Sequence, residues 1–451
     1  MDSKQLGEAF EQHGIRRVKL GGFDIDGVLR GKYVALDKFW SALDKGLGFC
    51  DVIFGWDIND ALYDNARLTG WHTGYPDTLA KIDPSTFRVL PSEPGTAHLL
   101  LDFWQDANTP HPACPRNLCK SVTARARAAG YAPHFSVEFE YWIFKESPQS
   151  LREKNFRDLT ALSPGMFGYS WVREGQHADL IEDVLEQMAG YDIDIEAMHT
   201  ETGPGVYEAA IRHSDPLRAA DMAALFKTTM KVLCARHGYS VTFMAKWNPN
   251  LPGSSGHIHQ SLFDAQDREN LFAAPKSELG LSELGQRYLA GLIALSPDLT
   301  AVFSPTINSY KRYVPGMWAP LCASWDVENR TCSVRVITGP GTSAARLELR
   351  QTAADINPHL AIAASLAAGL YGIERALPLP ARSQGDATAA EALRFPQSLA
   401  AAAEMLQKSE FARQVLPEAF IDHYVRTRDF EVRQHARSVS QWELERYFEA
   451  I

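Results

Sequence analysis

The sequence predicts an α+β protein in which a small, sheet-containing N-terminal unit precedes a larger unit built from longer helices and strands. Residues 15–36 hold β-rich apolar clusters broken at Asp26-Gly27, a dipeptide typical of hairpins, so two antiparallel strands are expected there. A short helix is expected over residues 37–47 and two further strands over residues 85–103. The proline-rich stretch HPACPR ends this unit near residue 115.

The rest of the chain carries longer helical and strand patterns, which divides the protein into domains 1–115 and 116–451. Residues 134–144, HFSVEFEYWIF, alternate in a way that predicts a strand. Three of the predicted helices are expected to end at glycines, Gly130, Gly190 and Gly238. The last predicted helix is very apolar, but its interspersed polar groups favour a buried core helix over a membrane span. The predicted helices are 116–131, 176–191, 216–239 and 357–377.

The composition excludes several classes of function. The chain has 451 residues, of which 45% are hydrophobic and 22% charged, as in a soluble globular protein. A net charge of −10 without any basic block argues against nucleic-acid binding. The polar N-terminus lacks a signal-peptide core, and no apolar run is long enough to span a membrane. Six scattered cysteines indicate neither a disulfide framework nor a zinc site, so a reducing cytoplasm is expected.

The segment KWNPNLPGSSGHIHQSL, residues 246–262, is the centre of the functional prediction. Gly253 begins a Gly/Ser loop that can turn tightly and bring backbone N–H groups close to a ligand. The alternation after this loop places His257, His259 and Ser261 on one strand face. Two imidazoles and a hydroxyl leaving such a loop suit a metal and a phosphate. An exposed histidine-rich edge strand explains these residues equally well.

Acidic residues occur in matching strand and glycine contexts. Glu138 and Glu140 share one face of the predicted strand, roughly 6 to 7 Å apart. Glu201 and Glu208 flank a Gly-Pro-Gly turn, and Glu348 lies in the alternating segment ARLELRQT. With one imidazole, these five carboxylates form a ligand set suited to Mg²⁺ or Mn²⁺ rather than zinc. Each carboxylate taken alone is more often a salt-bridge partner.

Arginines accompany these acids. Arg312 lies in NSYKRYVPG, Arg330 and Arg335 in NRTCSVRV, and Arg346 and Arg350 on either side of the last glutamate. The planar guanidinium binds two oxygens of a carboxylate or phosphate at once. Metal-binding carboxylates beside arginines therefore indicate a nucleoside triphosphate together with a carboxylate substrate. Simple pairing of the arginines with the glutamates is the alternative.

At this point the chain resembles the glutamine synthetase family over nearly its whole length. The matching segments, in the family's order, are FDIDGVLRGKYV, FSVEFEYW, ETGPGVYE, GSSGHIHQSL, NSYKRYVPG, NRTCSVRV, RLELR and INPHLAIAASLAAGLYGI. The resemblance implies a β-grasp-like N-terminal domain and a large catalytic domain whose curved antiparallel sheet, flanked by helices, lines a funnel. It also implies a ring-shaped, dodecamer-like homo-oligomer in which a neighbour's N-terminal domain completes each active site.

The resemblance further implies a role for each matching residue, with ATP and two or more Mg²⁺ or Mn²⁺ ions per site. The first metal would be held by Glu140, Glu201 and Glu208. The second would be held by Glu138, His257 and Glu348. The positions that match ATP contacts are His259, Ser261, Arg335 and Arg346. The positions that match the glutamate pocket are the Gly253 backbone, Arg312 and Arg350, and Arg330 matches the arginine on the transferred phosphate.

The sequence departs from the family at the ammonium site. Trp318 stands where the family's flap glutamate is expected, and an indole can neither hold nor deprotonate ammonium. The family's early Asp-Gly-Ser-Ser segment, whose Asp also serves ammonium, is replaced by residues 54–60. Asp57 is the nearest acid there and is the candidate for that catalytic role, and Trp56 precedes it. The adenylylation tyrosine loop of some bacterial members is not recognisable either.

Because the activation residues match and the ammonium residues do not, the chain resembles the γ-glutamyl-amine ligase branch. It is expected to join glutamate to an alkylamine, ethanolamine or polyamine through γ-glutamyl phosphate, as in amine catabolism and nitrogen metabolism. Trp56 and Trp318 would offer apolar or cation–π surface to that amine. A glutamine synthetase that uses ammonia is the first alternative. A catalytically silent relative is the second, and the six intact ligand positions argue against it.

Overall fold

The computed structural model is an α+β fold with two sheets, and it describes residues 1–339, 344–389 and 392–451. The strands of the smaller sheet are β1 Arg17–Phe23, β2 Leu29–Val34, β3 Leu47–Cys50, β4 Asp77–Val89 and β5 Thr96–Trp104. Their order is β2-β1-β5-β4-β3. β1 and β2 pair antiparallel around the Asp26-Gly27 turn, which confirms the predicted hairpin, whereas β1 and β5 are parallel.

Two helices accompany this sheet, α1 Ser3–Gln12 and α2 Leu36–Lys45. α2 confirms the predicted short helix, and Gly46 ends it with a φ of 73°. Strand β4 begins well before residue 85, where the sequence prediction placed it. Its first half, residues 77–84, alternates buried side chains with exposed or half-exposed ones, and this weakens the apolar signal.

The larger sheet has eight strands, which come from residues 131–349 of the chain. They are β6 Tyr131–Phe144, β7 Ile195–Thr200, β8 Val206–Ile211, β9 Ser240–Thr242, β10 Gly256–Asp264, β11 Trp325–Val327, β12 Val334–Ile337 and β13 Arg346–Leu349. Seven follow the order β11-β12-β13-β10-β6-β8-β7, and β9 pairs with β6. Among the described strands of this larger sheet only β11 and β12 pair in parallel, so the sheet is mixed but mainly antiparallel.

Twelve helices accompany this sheet among the described residues. They are α3 Pro115–Ala128, α4 Pro148–Glu153, α5 Trp171–Gly175, α6 Ala178–Gly190, α7 Pro216–Arg236, α8 Glu283–Leu295, α9 Thr300–Phe303, α10 Pro358–Glu374, α11 Leu399–Lys408, α12 Glu410–Val415, α13 Glu418–Ala436 and α14 Gln441–Tyr447. α10 is buried from Pro358 to Gly372 and packs on α3, α7 and α8, which confirms a core helix. No described helix is both long and apolar enough to cross a membrane.

Three helix ends are predicted at glycines. Gly130 follows α3 with a φ of 88° and Gly238 follows α7 with a φ of 75°, as predicted. α6 also ends at its predicted glycine, Gly190, but there the left-handed residue is Asp192, with a φ of 61°. An aspartate tolerates this conformation because its side chain can bond locally.

The alternation of β6 separates a packing face from a functional face. Phe135, Val137, Phe139 and Tyr141 are at most 1% exposed. The rings of Phe139 and Tyr141 lie 6.3 and 5.8 Å from Phe226 of α7. Glu138 and Glu140 consequently point away from the helices, as the sequence predicted.

A buried ion-pair cluster joins the smaller sheet to the helices. Arg116 of α3 contacts Asp102 of β5 at 2.5 Å and Asp83 of β4 at 3.2 Å. It also contacts Asp221 of α7 at 2.8 Å, and Lys120 pairs with Asp83 at 3.1 Å. The division of the chain at residue 115 remains a prediction, although α3 begins there.

Candidate active site

Strand register assembles the predicted site on the face opposite the helices. His257 of β10 lies directly opposite Glu138 of β6, and Glu140 lies opposite Glu208 of β8. Residues directly opposite each other on paired strands share a face of the sheet. The histidine strand therefore lies inside the sheet, between β6 and β13, and the alternative of an exposed edge strand is excluded.

The next strands extend this face. Glu348 of β13 lies opposite both His259 of β10 and Arg335 of β12. One surface thus carries acids, imidazoles and a guanidinium drawn from five strands. It forms the floor of a cavity of about 610 Å³.

One group of acids is balanced by cations of the chain. His257 Nδ1 lies 2.9 Å from Glu138 Oε1 and 3.6 Å from Glu348 Oε1, and His259 Nε2 lies 3.3 Å from Glu138 Oε2. Arg335 lies 3.1 Å from Glu348, and Arg350 contacts the same carboxylate. Burial opposes ionisation here, yet His259 and His257 hold the pKa of Glu138 well below its usual range. Burial opposes the ionisation of Glu348 as well, but Arg350 and the histidines lower its pKa to about 2.

A second group of acids lacks such cations. Among the described residues no lysine or arginine forms an ion pair with Glu140, Glu201 or Glu208. Burial raises the pKa of Glu208, and it raises that of Glu140 to about 7 although the Ser255 N–H donates to Glu140 at 2.6 Å.

Among the described residues, His199 of β7 is the basic side chain that forms ion pairs with this second group of acids, and sequence reasoning missed it. It lies opposite Glu208 in the β7–β8 register. Its ring nitrogens lie 3.4 Å from Glu208 and 3.9 Å from Glu201. Burial opposes protonation, but the bond to Glu208 raises the pKa of His199 to about 9. Its position two residues before Glu201, on the same strand face, is the signal that could have identified it.

The donor set fits divalent cations. Three sets of side chains bring one ligand atom each to within 4.8 Å of one another. They are Glu138-His259-Glu348, Glu138-Glu208-His257 and His199-Glu201-Glu208. The sets include five of the six predicted metal ligands, and carboxylate oxygens suit Mg²⁺ or Mn²⁺. Glu140 belongs to none of them, because its carboxylate accepts from the Ser255 N–H.

The arginines border the same cavity in different ways. Arg312 is 1% exposed and donates to the carbonyl oxygens of Gln351 and Arg350 and to Ser255 Oγ, each at 2.9 Å. A Cβ added to Gly253 would lie 2.8 Å from Arg312 Cγ, so only glycine lets the backbone pass there. Much of the Arg312 guanidinium is thus committed to shaping the loop.

The remaining arginines are held near the acids. Arg350 Nε donates to the Arg330 carbonyl at 3.0 Å, which anchors the loop that brings Arg330 to the cavity. Arg346 Nε donates to His259 Nδ1 at 3.2 Å. Since the other ring nitrogen of His259 faces Glu138, the structure ties this histidine to both the acids and the arginines.

Three predicted site residues lie outside the cavity of their own chain. Ser261 faces His134 farther along β10 and does not line it. Asp57 accepts from the backbone N–H groups of Asn59 and Ala61, at 2.8 and 2.9 Å, in a turn of the N-terminal region. Trp56, beside it, packs under the guanidinium of Arg30 at 5.0 Å. The roles assigned to Trp56 and Asp57 require a neighbouring subunit and remain predictions.

Aromatic groups stand at the mouth of the cavity. Trp318 is 66% exposed with a φ of 60°, and Met317 lines the cavity beside it. Tyr169, which sequence reasoning did not single out, lines the same cavity. Its ring stacks on His199 at 4.2 Å, and its φ is 53°. No periodicity marks Tyr169, because the segment around it is irregular loop.

Comparison with known proteins agrees with this geometry. Residues 112–447 match the family described as glutamine synthetase, catalytic domain. The chain is 45% identical to type-1 glutamine synthetase 2 of Dictyostelium discoideum, over 96% of this chain and 84% of that protein. It is 39% identical to the glutamate–isopropylamine ligase of a Pseudomonas species, over 98% and 96%.

A third relative is the γ-glutamylethanolamide synthetase of Streptomyces coelicolor, 34% identical over 95% of this chain and 91% of that protein. Among solved structures, GmaS in complex with ADP superposes with a TM-score of 0.85 at 28% identity, covering 98% of this chain and 99% of that one. The family uses ATP and divalent metals, and the cavity presents donors suited to both. The chain therefore belongs to the glutamine synthetase family, and it is an ATP-dependent γ-glutamyl ligase.

Proposed function

We propose that this protein joins the γ-carboxyl group of glutamate to an organic amine in preference to ammonia. The observation that carries the proposal is the contrast within one cavity. The acids and arginines suited to activating a carboxylate are assembled on its floor, while an indole, Trp318, stands at its mouth. An indole offers an apolar and cation–π surface to an amine and has no group that can deprotonate ammonium.

The proposed reaction has two steps. The γ-carboxylate oxygen of glutamate attacks the terminal phosphorus of ATP, giving γ-glutamyl phosphate and ADP. The amine nitrogen then attacks the γ-carbon, the C–N bond forms, the C–O bond to phosphate breaks, and one proton leaves the nitrogen. Bound divalent cations would offset the charge on the phosphoryl oxygens. The chain's own residues bind and orient both substrates on the floor of the cavity.

The proposal assigns the residues as follows. One cation is held by Glu140, Glu201 and Glu208, and a second by Glu138, His257 and Glu348. ATP is contacted by His259, Ser261, Arg335 and Arg346. Glutamate is held by the Gly253 backbone, Arg312 and Arg350, and Arg330 stabilises the transferred phosphoryl group. His199 keeps Glu201 and Glu208 in place, since it reaches both.

An amine panel tests the proposal directly. Phosphate release is measured with glutamate, ATP and Mg²⁺ while the nucleophile is varied from ammonium to ethanolamine, alkylamines and polyamines. We expect kcat/KM for at least one organic amine to exceed that for ammonium by tenfold or more. Ammonium as the best nucleophile of the panel would overturn the proposal.

Trp318→Glu provides the matched variant. It places a carboxylate at the mouth of the cavity, and we expect kcat/KM for ammonium to rise relative to that for organic amines. The second candidate, glutamine synthesis from ammonia, is favoured by the 45% identity to a type-1 glutamine synthetase. Under that alternative, ammonium is already the preferred nucleophile of the wild-type protein.

The proposal includes a ring-shaped homo-oligomer, because Trp56 and Asp57 lie away from the cavity of their own chain. Light scattering after size-exclusion chromatography measures the assembly. A subunit-mixing experiment tests sharing of the site. We expect Asp57→Asn subunits and Glu208→Gln subunits, each weakly active alone, to regain activity when mixed. If the mixture did not regain activity, Asp57 and Glu208 would not be contributed to one site by two different subunits.

A further inference from the structure

We infer that the amine substrate is an apolar primary monoamine, with an alkyl or aryl body and no second cationic or strongly polar group. This inference rests on the proposed function and narrows it to one class of nucleophile. Its basis is the apolar part of the cavity lining. This part consists of the rings of Tyr169 and Trp318, the thioether of Met317 and the aliphatic side chain of Val206.

Trp318 is positioned to contact a ligand rather than the rest of the chain. Its φ of 60° is a conformation that side-chain-bearing residues rarely adopt, and Gly316 with a φ of 76° precedes it in the same turn. Within the described residues the indole makes no ring contact, cation–π contact or hydrogen bond, and it is 66% exposed. Packing within the described residues of this chain therefore does not cover the indole, which is free to contact an apolar ligand body.

The ring of Tyr169 forms a second apolar wall beside the acids. Its ring stacks on His199 at an interplanar angle of 19°, and His199 lies against Glu201 and Glu208. A nitrogen beside these acids would place its attached carbon atoms along the Tyr169 ring. Burying one methylene group there is worth about 0.8 kcal/mol, or about fourfold in kcat/KM.

The charges of the cavity disfavour a second ammonium group on the substrate. Five glutamates line it, and all five are assigned to metal ions or already contact histidine and arginine. Five arginines line it as well. Among the described lining residues no acid remains to receive another cation. A diamine would therefore keep one charge near the arginines without a partner, at an electrostatic cost.

Two isosteric pairs of amines test the inference. Pentylamine and 1,4-diaminobutane differ by a terminal methyl group against an ammonium group, and propylamine and ethanolamine differ by a methyl group against a hydroxyl group. Phosphate release gives kcat/KM for each amine with glutamate, ATP and Mg²⁺. We expect the apolar member to be favoured at least tenfold in the first pair and about fourfold or more in the second.

Variants test whether Trp318 causes the preference for apolar amines. Trp318→Ala is expected to raise KM for pentylamine about tenfold and to leave KM for glutamate and ATP within twofold, because only the amine body touches the indole. Trp171→Ala is the matched control, since Trp171 is 87% exposed in α5 and does not line the cavity. It is expected to leave every KM unchanged.

The outcomes separate the inference from the function on which it rests. If 1,4-diaminobutane or ethanolamine equals or exceeds its apolar partner while ammonium stays poor, the inference fails and the proposed function stands. If ammonium is the best nucleophile, or no amine supports turnover, both fail. Retention of the wild-type preference in Trp318→Ala would also overturn the inference.

Discussion

Two buried clusters of acids in this molecule are built from similar side chains and have opposite electrostatics. Where the smaller sheet meets the helices, Asp83, Asp102 and Asp221 all contact Arg116. On the functional face of the large sheet, no lysine or arginine among the described residues forms an ion pair with Glu140, Glu201 or Glu208, and His199 pairs with the last two. The chain gives the first cluster an arginine and a lysine as partners, and it gives the second cluster a histidine.

The difference shows in the pKa values. Burial opposes ionisation in both places, but Arg116 and Lys120 lower the pKa of Asp83 to about 2. At the sheet, burial prevails and raises the pKa of Glu140 to about 7. A buried cluster of three carboxylates with one histidine as its ion-pair partner is costly unless further cations are supplied from outside. The comparison thus separates a structural ion-pair cluster from a metal-binding site by charge balance rather than by residue type.

Disrupting the Arg116 ion-pair cluster has the largest expected effect on stability. Among the described residues, Arg116→Met leaves Asp221 with only His359, and Asp83 and Asp102 with only Lys120, as ion-pair partners. We expect it to lower the free energy of unfolding by about 3–5 kcal/mol. Urea denaturation at neutral pH measures the loss. Arg125→Met is the control, because the partly exposed pair of Arg125 with Glu374 is worth at most about 1 kcal/mol. Equal losses for the two variants would contradict the distinction.

Removing an acid from the functional face of the large sheet should lower activity without lowering stability. Glu208→Gln is expected to lower kcat/KM roughly 100-fold or more, since a metal ligand is lost. Without divalent cations, its stability should equal or exceed that of the wild type, because repulsion with Glu140 is relieved. Phosphate-release assays and urea denaturation check the two parts, with Glu186→Gln on the exposed face of α6 as the control. A destabilised variant would indicate a structural role for Glu208.

Divalent cations should stabilise the folded protein at the acids of the large sheet, Glu140, Glu201 and Glu208, and not at the Arg116 cluster. At a cation concentration of about 100 times Kd, the free energy of unfolding should rise by about 2.7 kcal/mol, and a chelator should reverse the change. Differential scanning calorimetry with Mg²⁺ or Mn²⁺ measures it. The increment should disappear in a Glu201→Gln, Glu208→Gln double variant. An increment that persists there would place the cation elsewhere.

The smallest effect concerns acid stability. The folded pKa of Asp83 is about 2, below its unfolded value of about 3.9, so its ion pairs stabilise the protein fully above pH 4. That contribution, at most about 2 kcal/mol, is lost as the pH falls from 4 towards 2. The difference in unfolding free energy between the wild type and Asp83→Asn should therefore be constant from pH 6 to 5 and narrow towards pH 3. A constant difference down to pH 3 would assign the stabilisation to another group.

Local patterns predicted much of this molecule. The alternation of residues 134–144 predicted which side chains of β6 pack on α7 and which face the cavity, because a strand has a period of two. Tyr169 escaped prediction because it lies in an irregular loop outside any periodic pattern, and His199 could have been identified only from its spacing of two residues from Glu201. α6 ends at the predicted Gly190, but the left-handed residue after it is Asp192.

The sequence by itself determined the residue types of the site, the strand face on which each lies, and the replacement of an expected acid by Trp318. Only the tertiary structure decided which of these residues meet. Glu138 and His257 are separated by 119 positions and are brought to 2.9 Å by pairing inside the large sheet. The same packing commits Arg312 to backbone carbonyls and leaves Trp56 and Asp57 outside the cavity. Such contacts depend on the register and burial of the whole core, which no local pattern contains.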